Sequence, residues 1–326
     1  MTRSFSNINM IKICLGSSLR AVRFPLTHPS VRTMAGCASR KVASLLEAEK
    51  VLELHQTPGY KMKFIDGSWH MNKERNPYKE FADKRIVGAQ YFNIDEVSDK
   101  TSSLPHMLPS PEQFEQTVAS FGVSENDHVV VYVNEGSPSA ARVWWMFRLF
   151  GHDRVSILNG GLPAWVAAGG ATESGEAVAP APSDFKSKLN PDYVASWQKV
   201  LAVVNDGSAQ IVDARSMPRF LAQAPEPRPG LVGGHIPGSL CIPFTTIVHE
   251  EDVTRFRSVN EIKDVVMDSG VILGAKCIFS CGSGVTAAVV YFAMHLLGIE
   301  MSKLAVYDGS WTEWAQNPDL PKIGKK

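Results

Sequence analysis

The chain has 326 residues, with 33 lysines and arginines against 33 aspartates and glutamates. The formal net charge at pH 7 is therefore zero, so no overall field favours nucleic acid or an anionic membrane as a partner. No apolar run in the sequence approaches the roughly 20 residues that a membrane-spanning helix needs.

The first segment differs in composition from the rest of the chain. Residues 1–40 contain five arginines, one lysine and many serines, and no acidic residue precedes Glu47. This composition is typical of a mitochondrial presequence rather than a secretory signal, although a disordered basic tail would have the same composition. We therefore expect a mitochondrial protein, with an additional cytoplasmic form if translation starts at Met34.

Beyond residue 40, short β-type runs alternate with helical runs. The first half has predicted strands at 63–66 (KFID), 128–133 (HVVVYV) and 154–158 (RVSIL). Helical patterns occupy 110–122 and 139–151, and each ends at a glycine. This alternation predicts an α/β fold, in which a mostly parallel sheet carries helices on both faces.

The second half repeats this order. The run "QIVDAR" at 210–215 corresponds to "KFIDGS", and "AAVVYFAMHLLG" aligns with "AARVWWMFRLFG" at an offset of 147 residues. A two-copy repeat of about 150 residues predicts tandem domains, because solenoid repeats are much shorter. We place the domains at 41–168 and 191–326. The segment 169–190, rich in Gly, Ala, Pro and Ser, is predicted to be a linker.

The same offset places Asn134 opposite Cys281, so one copy has an amide where the other has a thiol. The five cysteines are odd in number and show no CxxC spacing, which argues against a disulfide framework or a zinc site. We expect Cys241 and Cys277 to be packed in the core, because each lies within an apolar, strand-like run.

The stretch "FSCGSGVTAA" at 279–288 joins a predicted strand to a predicted helix. Glycines allow a tight curl in which successive backbone N–H groups face one point, and the helix N-terminus adds positive potential. Such a loop stabilises an anion, so we expect Cys281 to act as a thiolate nucleophile. The alternative is a small apolar residue at a strand end. The loop backbone consists of Gly282, Ser283, Gly284, Val285 and Thr286.

The segment "CGSGVTA" resembles the active-site loop of the 3-mercaptopyruvate sulfurtransferases, which are rhodanese-like enzymes. The resemblance spans about residues 45–320 and includes "HMLP", "RVWWMFR", "GHIPG", "IPFT" and "YDGSW". It implies two tandem rhodanese-like domains, of which the first lacks the nucleophile. It also implies that Cys281 takes sulfur from 3-mercaptopyruvate, holds it as a persulfide and passes it to a thiol acceptor such as thioredoxin, or to cyanide.

The resemblance further implies roles for five residues. Arg219 and Arg228 bind the substrate carboxylate, for which a guanidinium group is well shaped. Ser283, His106 and Asp95 form a hydrogen-bonded relay that returns a proton to the pyruvate enolate.

Three other functions remain open at this point. Thiosulfate sulfurtransferases carry basic residues directly after the cysteine, whereas Gly282 and Ser283 are neutral. A cysteine-dependent phosphatase needs an arginine six residues after the cysteine, where this chain has Ala287. A non-catalytic scaffold is the third alternative.

Because the sequence has no metal-ligand cluster, nucleotide-binding loop or basic groove, we expect no cofactor, no metal and no nucleic-acid partner. We expect His235, in "GGHIPG", to be a turn histidine bonded to backbone.

Overall fold

The computed structural model describes residues 42–324. The expected presequence lies outside these residues. Within 42–324, no helix combines the length and the apolar character needed to cross a membrane.

The first half is built on one parallel sheet. Its strands are β1 (Leu45–Leu46), β2 (Met62–Asp66), β4 (Gln90–Tyr91), β5 (His128–Tyr132) and β6 (Val155–Leu158), and a separate antiparallel pair is β3 (Arg85–Ile86) with β7 (Thr172–Glu173). The order in the sheet is β1-β6-β5-β2-β4, and all neighbours are parallel. The helices are α1 (Ala48–Gln56), α2 (Pro77–Asp83), α3 (Pro111–Ser120), α4 (Ala140–Leu149) and α5 (Gly161–Ala167).

The second half has a matching sheet. Its strands are β8 (Val194–Ala195), β9 (Gln210–Asp213), β10 (Leu240–Cys241), β11 (Cys277–Ser280) and β12 (Leu304–Tyr307). Their order is β10-β9-β11-β12-β8, again with parallel neighbours. The helices are α6 (Trp197–Asp206), α7 (Met217–Phe220), α8 (Val259–Asp268), α9 (Ala287–Leu296) and α10 (Ser310–Gln316), with 3-10 turns at Pro191–Tyr193, Phe244–Thr246 and Met301–Lys303.

The two sheets have the same topology. Counted within each half, the strand order is first, fifth, fourth, second, third, which confirms the duplication predicted from the sequence. Strand β5 is buried along its whole length, as expected for an apolar run in a parallel sheet covered on both faces. Helices α1, α2 and α5 cover one face of the first sheet, whereas α3 and α4 cover the other.

The two halves share one apolar core at their junction. The aligned helices α4 and α9 pack against each other, with the rings of Trp144 and Phe292 4.7 Å apart in an edge-to-face arrangement. The tryptophans in the helical patterns at 144, 145, 165, 311 and 314 are all fully buried. The two repeats are therefore one packed unit over residues 42–324 rather than two loosely tethered bodies.

The segment between the repeats lies along the first half. Strand β7 pairs with β3, and Glu173 forms an ion pair with the buried Arg85 at 3.0 Å. Further along, the backbone N–H groups of Ser183 and Lys188 donate to carbonyls of Ala119 and Phe150. These contacts hold the segment in one path until the second half begins.

Candidate functional site

Cys281 directly follows the carboxyl end of β11, and a loop of five residues separates it from α9; ligands bind at this edge of parallel α/β sheets. Its side chain borders a cavity of about 430 Å³ between the two halves. The first half lines this cavity with Trp69, His70, Met71, Asn72, Arg75, Gly136 and Pro138. The second half lines it with Ala214, Arg215, Ser216, Arg219, Pro227, Arg228, Phe244, Cys281, Gly282, Ser283, Val285 and Thr286.

The loop after Cys281 is fixed through its carbonyl groups. The carbonyls of Cys281 and Gly282 accept hydrogen bonds from the N–H groups of Trp311 and Thr312, each at 3.0 Å. Within residues 42–324, none of the N–H groups from Gly282 to Thr286 donates a hydrogen bond to protein. Five consecutive N–H groups after Cys281 therefore have no protein acceptor, and four of these residues line the cavity, where such groups can stabilise negative charge.

Gly284 explains why the loop needs a glycine. Its φ is +78°, and a Cβ atom here would lie 2.8 Å from Arg142 Nη1 and 2.8 Å from the Asp308 carbonyl oxygen. A side chain at this position would therefore be strained by both its conformation and its neighbours.

The two arginines predicted to bind substrate both line the cavity, but their partners differ. Arg219 is paired with Glu226, with Nη2 2.5 Å from Oε2. Arg228 donates from Nη2 to Ser283 Oγ at 3.0 Å and has no carboxylate within ion-pair distance among residues 42–324. Burial lowers the pKa of Arg228, opposed by the nearby Cys281. Arg228 is thus the more available of the two for an incoming anion.

His106 and Asp95 meet in the first half, beside the cavity. His106 Nδ1 lies 2.7 Å from Asp95 Oδ1, and Trp69, which lines the cavity, donates from Nε1 to Asp95 Oδ2 at 3.0 Å. Burial lowers the pKa of His106, and Asp95 opposes this effect. Burial acts to raise the pKa of Asp95, but hydrogen bonding and charge from His106 outweigh it and hold that pKa below its usual range.

The structure does not join this pair to Ser283 by a hydrogen bond. His106 Nε2 is buried and has no hydrogen-bond partner, whereas Ser283 Oγ accepts from Arg228. In residues 42–324, the predicted relay is therefore assembled only as far as the contact between His106 and Asp95.

A buried ion pair that the sequence analysis did not identify connects the two halves. Arg142, on α4, donates from Nη1 to Asp308 Oδ1 at 2.6 Å and from Nη2 to the carbonyl of His106 at 2.5 Å. It also donates to the carbonyl of Gly284, while Asp308 Oδ2 accepts from the N–H of Leu108. The pair therefore ties the loop that contains His106 to the loop that contains Cys281.

The first half has a different arrangement at the position equivalent to Cys281. Asn134 Oδ1 accepts a hydrogen bond from the N–H of Glu135 at 2.9 Å, and Asn134 Nδ2 donates to Glu80 Oε2 at 3.3 Å. Glu80 is in turn paired with Arg75 at 2.6 Å. At this position the first half therefore has a neutral amide beside a carboxylate, and no thiol.

The other two cysteines of the second half, and His235, are held by packing and backbone hydrogen bonds. Cys277 is buried and Cys241 is partly buried, and burial raises their pKa to about 11 and about 12. Neither is therefore a thiolate near neutral pH. His235 donates from Nδ1 to the carbonyl of Phe220 at 2.8 Å and stacks on its ring, which confirms the prediction of a backbone-bonded turn histidine.

The comparisons with known proteins agree on one family. The rhodanese-like domain family matches residues 39–168 and 196–317. The 3-mercaptopyruvate sulfurtransferase of Escherichia coli K12 is 42% identical over 249 residues, covering 76% of this chain and 86% of the relative. The human 3-mercaptopyruvate sulfurtransferase is 38% identical over 276 residues, covering 83% and 91%.

A mitochondrial thiosulfate/3-mercaptopyruvate sulfurtransferase of Arabidopsis thaliana is 38% identical over 323 residues, covering 92% of this chain and 84% of the relative. Among solved structures, SseA from Escherichia coli, described as a 3-mercaptopyruvate sulfotransferase, matches with a TM-score of 0.73 and 37% identity, covering 83% of this chain and 99% of that one. The chain therefore belongs to the rhodanese-like sulfurtransferase family, in the group that contains the curated 3-mercaptopyruvate sulfurtransferases.

Proposed function

We propose that this sulfurtransferase takes the sulfur atom of 3-mercaptopyruvate onto Cys281 and delivers it to a thiol acceptor, with thioredoxin as the expected protein acceptor. The observation that carries the proposal is the position of Cys281. It borders a cavity that Arg228 also lines, next to a loop whose N–H groups from Gly282 to Thr286 have no acceptor within residues 42–324. This arrangement supports assigning a nucleophile, an anion-stabilising loop and a carboxylate-binding cation to one space.

In the first stage, the Cys281 thiolate attacks the sulfur of the substrate. A sulfur–sulfur bond forms, the carbon–sulfur bond breaks, and its electron pair leaves on carbon as the enolate of pyruvate. The proton of the substrate thiol ends on the enolate carbon, so that the products are pyruvate and the persulfide anion on Cys281. In the second stage, the thiolate of the acceptor attacks the outer sulfur, which restores the Cys281 thiolate.

The other candidate residues take the following roles in this proposal. Arg228, with Arg219, holds the substrate carboxylate, and the N–H groups from Gly282 to Thr286 stabilise charge on sulfur. For the proton transfer, Ser283 lies two residues after the nucleophile, and His106 with Asp95 would accept and return a proton once a bound substrate brings the groups together. In this scheme the first domain (41–168) lacks a nucleophile but supplies the relay, while the second (191–326) supplies the thiol.

The test is direct detection of the persulfide. After treatment with 3-mercaptopyruvate, the intact mass should increase by one sulfur atom, and the added mass should map to the peptide containing Cys281. Cys281→Ser should abolish both the added mass and pyruvate release, whereas Cys241→Ser should retain both. Full pyruvate release by Cys281→Ser would disprove the proposal. Persulfide formed from thiosulfate, but not from 3-mercaptopyruvate, would favour thiosulfate as the donor.

We also propose that residues 1–40 direct the protein to mitochondria. The basic, serine-rich composition supports this proposal, and a relative in Arabidopsis thaliana is described as mitochondrial. Fusing residues 1–40 to a fluorescent protein should give mitochondrial fluorescence, and a chain that starts at Met34 should remain in the cytoplasm. Diffuse fluorescence from the first fusion would contradict the proposal.

A further inference from the structure

One wall of the cavity has three guanidinium groups, from Arg215, Arg219 and Arg228. Such a density of positive charge would favour the most highly charged anions. The structure, however, places two carboxylates behind this wall. Arg215 is paired with Asp213, with Nη2 2.5 Å from Oδ2, and Glu226 is shared between two of the arginines.

The position of Glu226 is unusual for a carboxylate. Its side chain is only 1% exposed, and it accepts from Arg215 Nη1 at 2.7 Å and from Arg219 Nη2 at 2.5 Å. Arg219 Nε also donates to Oε1, at 3.3 Å, so arginines hold both carboxylate oxygens. A carboxylate buried in this way is costly unless it is paired, so its place depends on both arginines.

The charges on this wall can be counted group by group. Three guanidinium groups face two carboxylates, which leaves a single positive charge that is not matched. That charge is on Arg228, because the other two arginines hold the carboxylates. On the opposite wall, Arg75 is neutralised by Glu80 at 2.6 Å. The cavity therefore offers one cation that no carboxylate matches, beside the negative charge that Cys281 carries both as thiolate and as persulfide.

We propose that Glu226 is a specificity-determining residue, which matches the cavity to a sulfur donor with one negative charge and disfavours a dianion. The inference rests on the proposed function, because it concerns which donor reaches Cys281. A 3-mercaptopyruvate ion has one carboxylate charge, whereas thiosulfate has two. Glu226 neutralises the positive charge of Arg219, which would otherwise attract a second negative charge on the donor. It does so from behind Arg219, without contacting the donor itself.

The proposal predicts the behaviour of Glu226→Gln. The amide has the same shape but keeps only one of the two acceptor oxygens, so it can remain bonded to Arg215 while Arg219 presents an unmatched charge to the cavity. Each negative charge of a donor gains roughly tenfold in affinity from one added positive charge at this range in a partly solvated site. Thiosulfate therefore gains about tenfold more than 3-mercaptopyruvate, and the ratio of their kcat/KM values should shift by about tenfold toward thiosulfate.

The experiment measures kcat/KM for both donors in the wild type, Glu226→Gln and Glu226→Asp. The aspartate variant keeps the negative charge, so its ratio should stay within about twofold of the wild type while Glu226→Gln shifts by about tenfold. The matched control is Glu173→Gln, which also removes a carboxylate paired with a buried arginine, but in the segment that follows the first half. Its ratio should not change. A Glu226→Gln ratio equal to that of the wild type would overturn the proposal.

A second measurement covers the case in which Glu226→Gln does not fold, which circular dichroism would reveal. In the wild type, pyruvate and oxalate are compared as inhibitors of persulfide formation, because they are similar in size but have one and two negative charges. Pyruvate should inhibit at the lower concentration. Stronger inhibition by oxalate would overturn the proposal. Failure of the wild type to form a persulfide from 3-mercaptopyruvate would instead disprove the proposed function.

Discussion

Replacing Asp308 with asparagine tests the buried link between the two halves. Asp308 and Arg142 have side chains 5% and 1% exposed, and their charged atoms lie 2.6 Å apart. Removing one partner of a buried ion pair costs about 3–5 kcal/mol, because the other charge stays buried without compensation. The amide retains one acceptor for Arg142 but turns a donor toward the N–H of Leu108, from which Asp308 Oδ2 accepts, and so we expect a loss of at least about 3 kcal/mol. For a chain of 326 residues, a loss of about 3 kcal/mol lowers the melting temperature by roughly 4–5 °C.

The assay combines chemical denaturation with steady-state kinetics. Asp308→Asn should lose unfolding free energy and also kcat, because Arg142 no longer fixes the carbonyls of His106 and Gly284. The control is Glu53→Gln, which removes an exposed ion pair with Lys50 and should leave both quantities unchanged. Breaking a buried pair is expected to cost about 3–5 kcal/mol. An unfolding free energy within about 1 kcal/mol of the wild type would therefore show that this ion pair contributes little to stability.

Three further predictions concern the loop, the acid response and the first half. Gly284→Ala should reduce persulfide formation and stability more than Gly298→Ala, because both residues have positive φ but only position 284 is crowded; equal losses would contradict this explanation. Burial lowers the pKa of His152 from about 6.5 to about 4, so its contribution to stability should be complete above pH 6.5 and decline toward pH 4. His152→Gln should therefore flatten the plot of unfolding free energy against pH in this range. An unchanged slope would show that His152 is not the cause of the decline. Asn134→Cys, made in the Cys281→Ser background, should acquire no persulfide by mass, because the Glu80 carboxylate lies beside position 134 and disfavours a thiolate there; sulfur on position 134 would refute this.

The sequence was most informative where the signal is local or repeated. The strand at 128–133 and the helix at 139–151 follow from apolar periodicity, and the 147-residue offset identified the duplication because the two copies retain the same order. The loop after Cys281 was recognisable because glycine at 284 is required by backbone conformation. These are properties of short stretches, which a sequence displays directly.

The pairings across the molecule could not be predicted in the same way. Arg142 lies in a helical run otherwise filled by core residues, and its partner Asp308 is 166 residues away. Glu226 sits in the proline-rich stretch "APEPRPG", where a carboxylate is ordinarily exposed. Similarly, nothing local indicates that His106 adopts φ = 62°. Only the three-dimensional arrangement shows which charged groups meet, because folding brings together residues that are far apart in the sequence.

The path of the segment between the repeats has a consequence for how copies of the chain can assemble. Because β7 and residues 183–190 are bonded to the first half, the hinge has almost no free length. Exchange of halves between two molecules would require that strand to detach and Arg85 to lose its partner. Domain swapping, in which two molecules exchange an identical element, is therefore disfavoured. Each chain is thus expected to complete its own catalytic cavity.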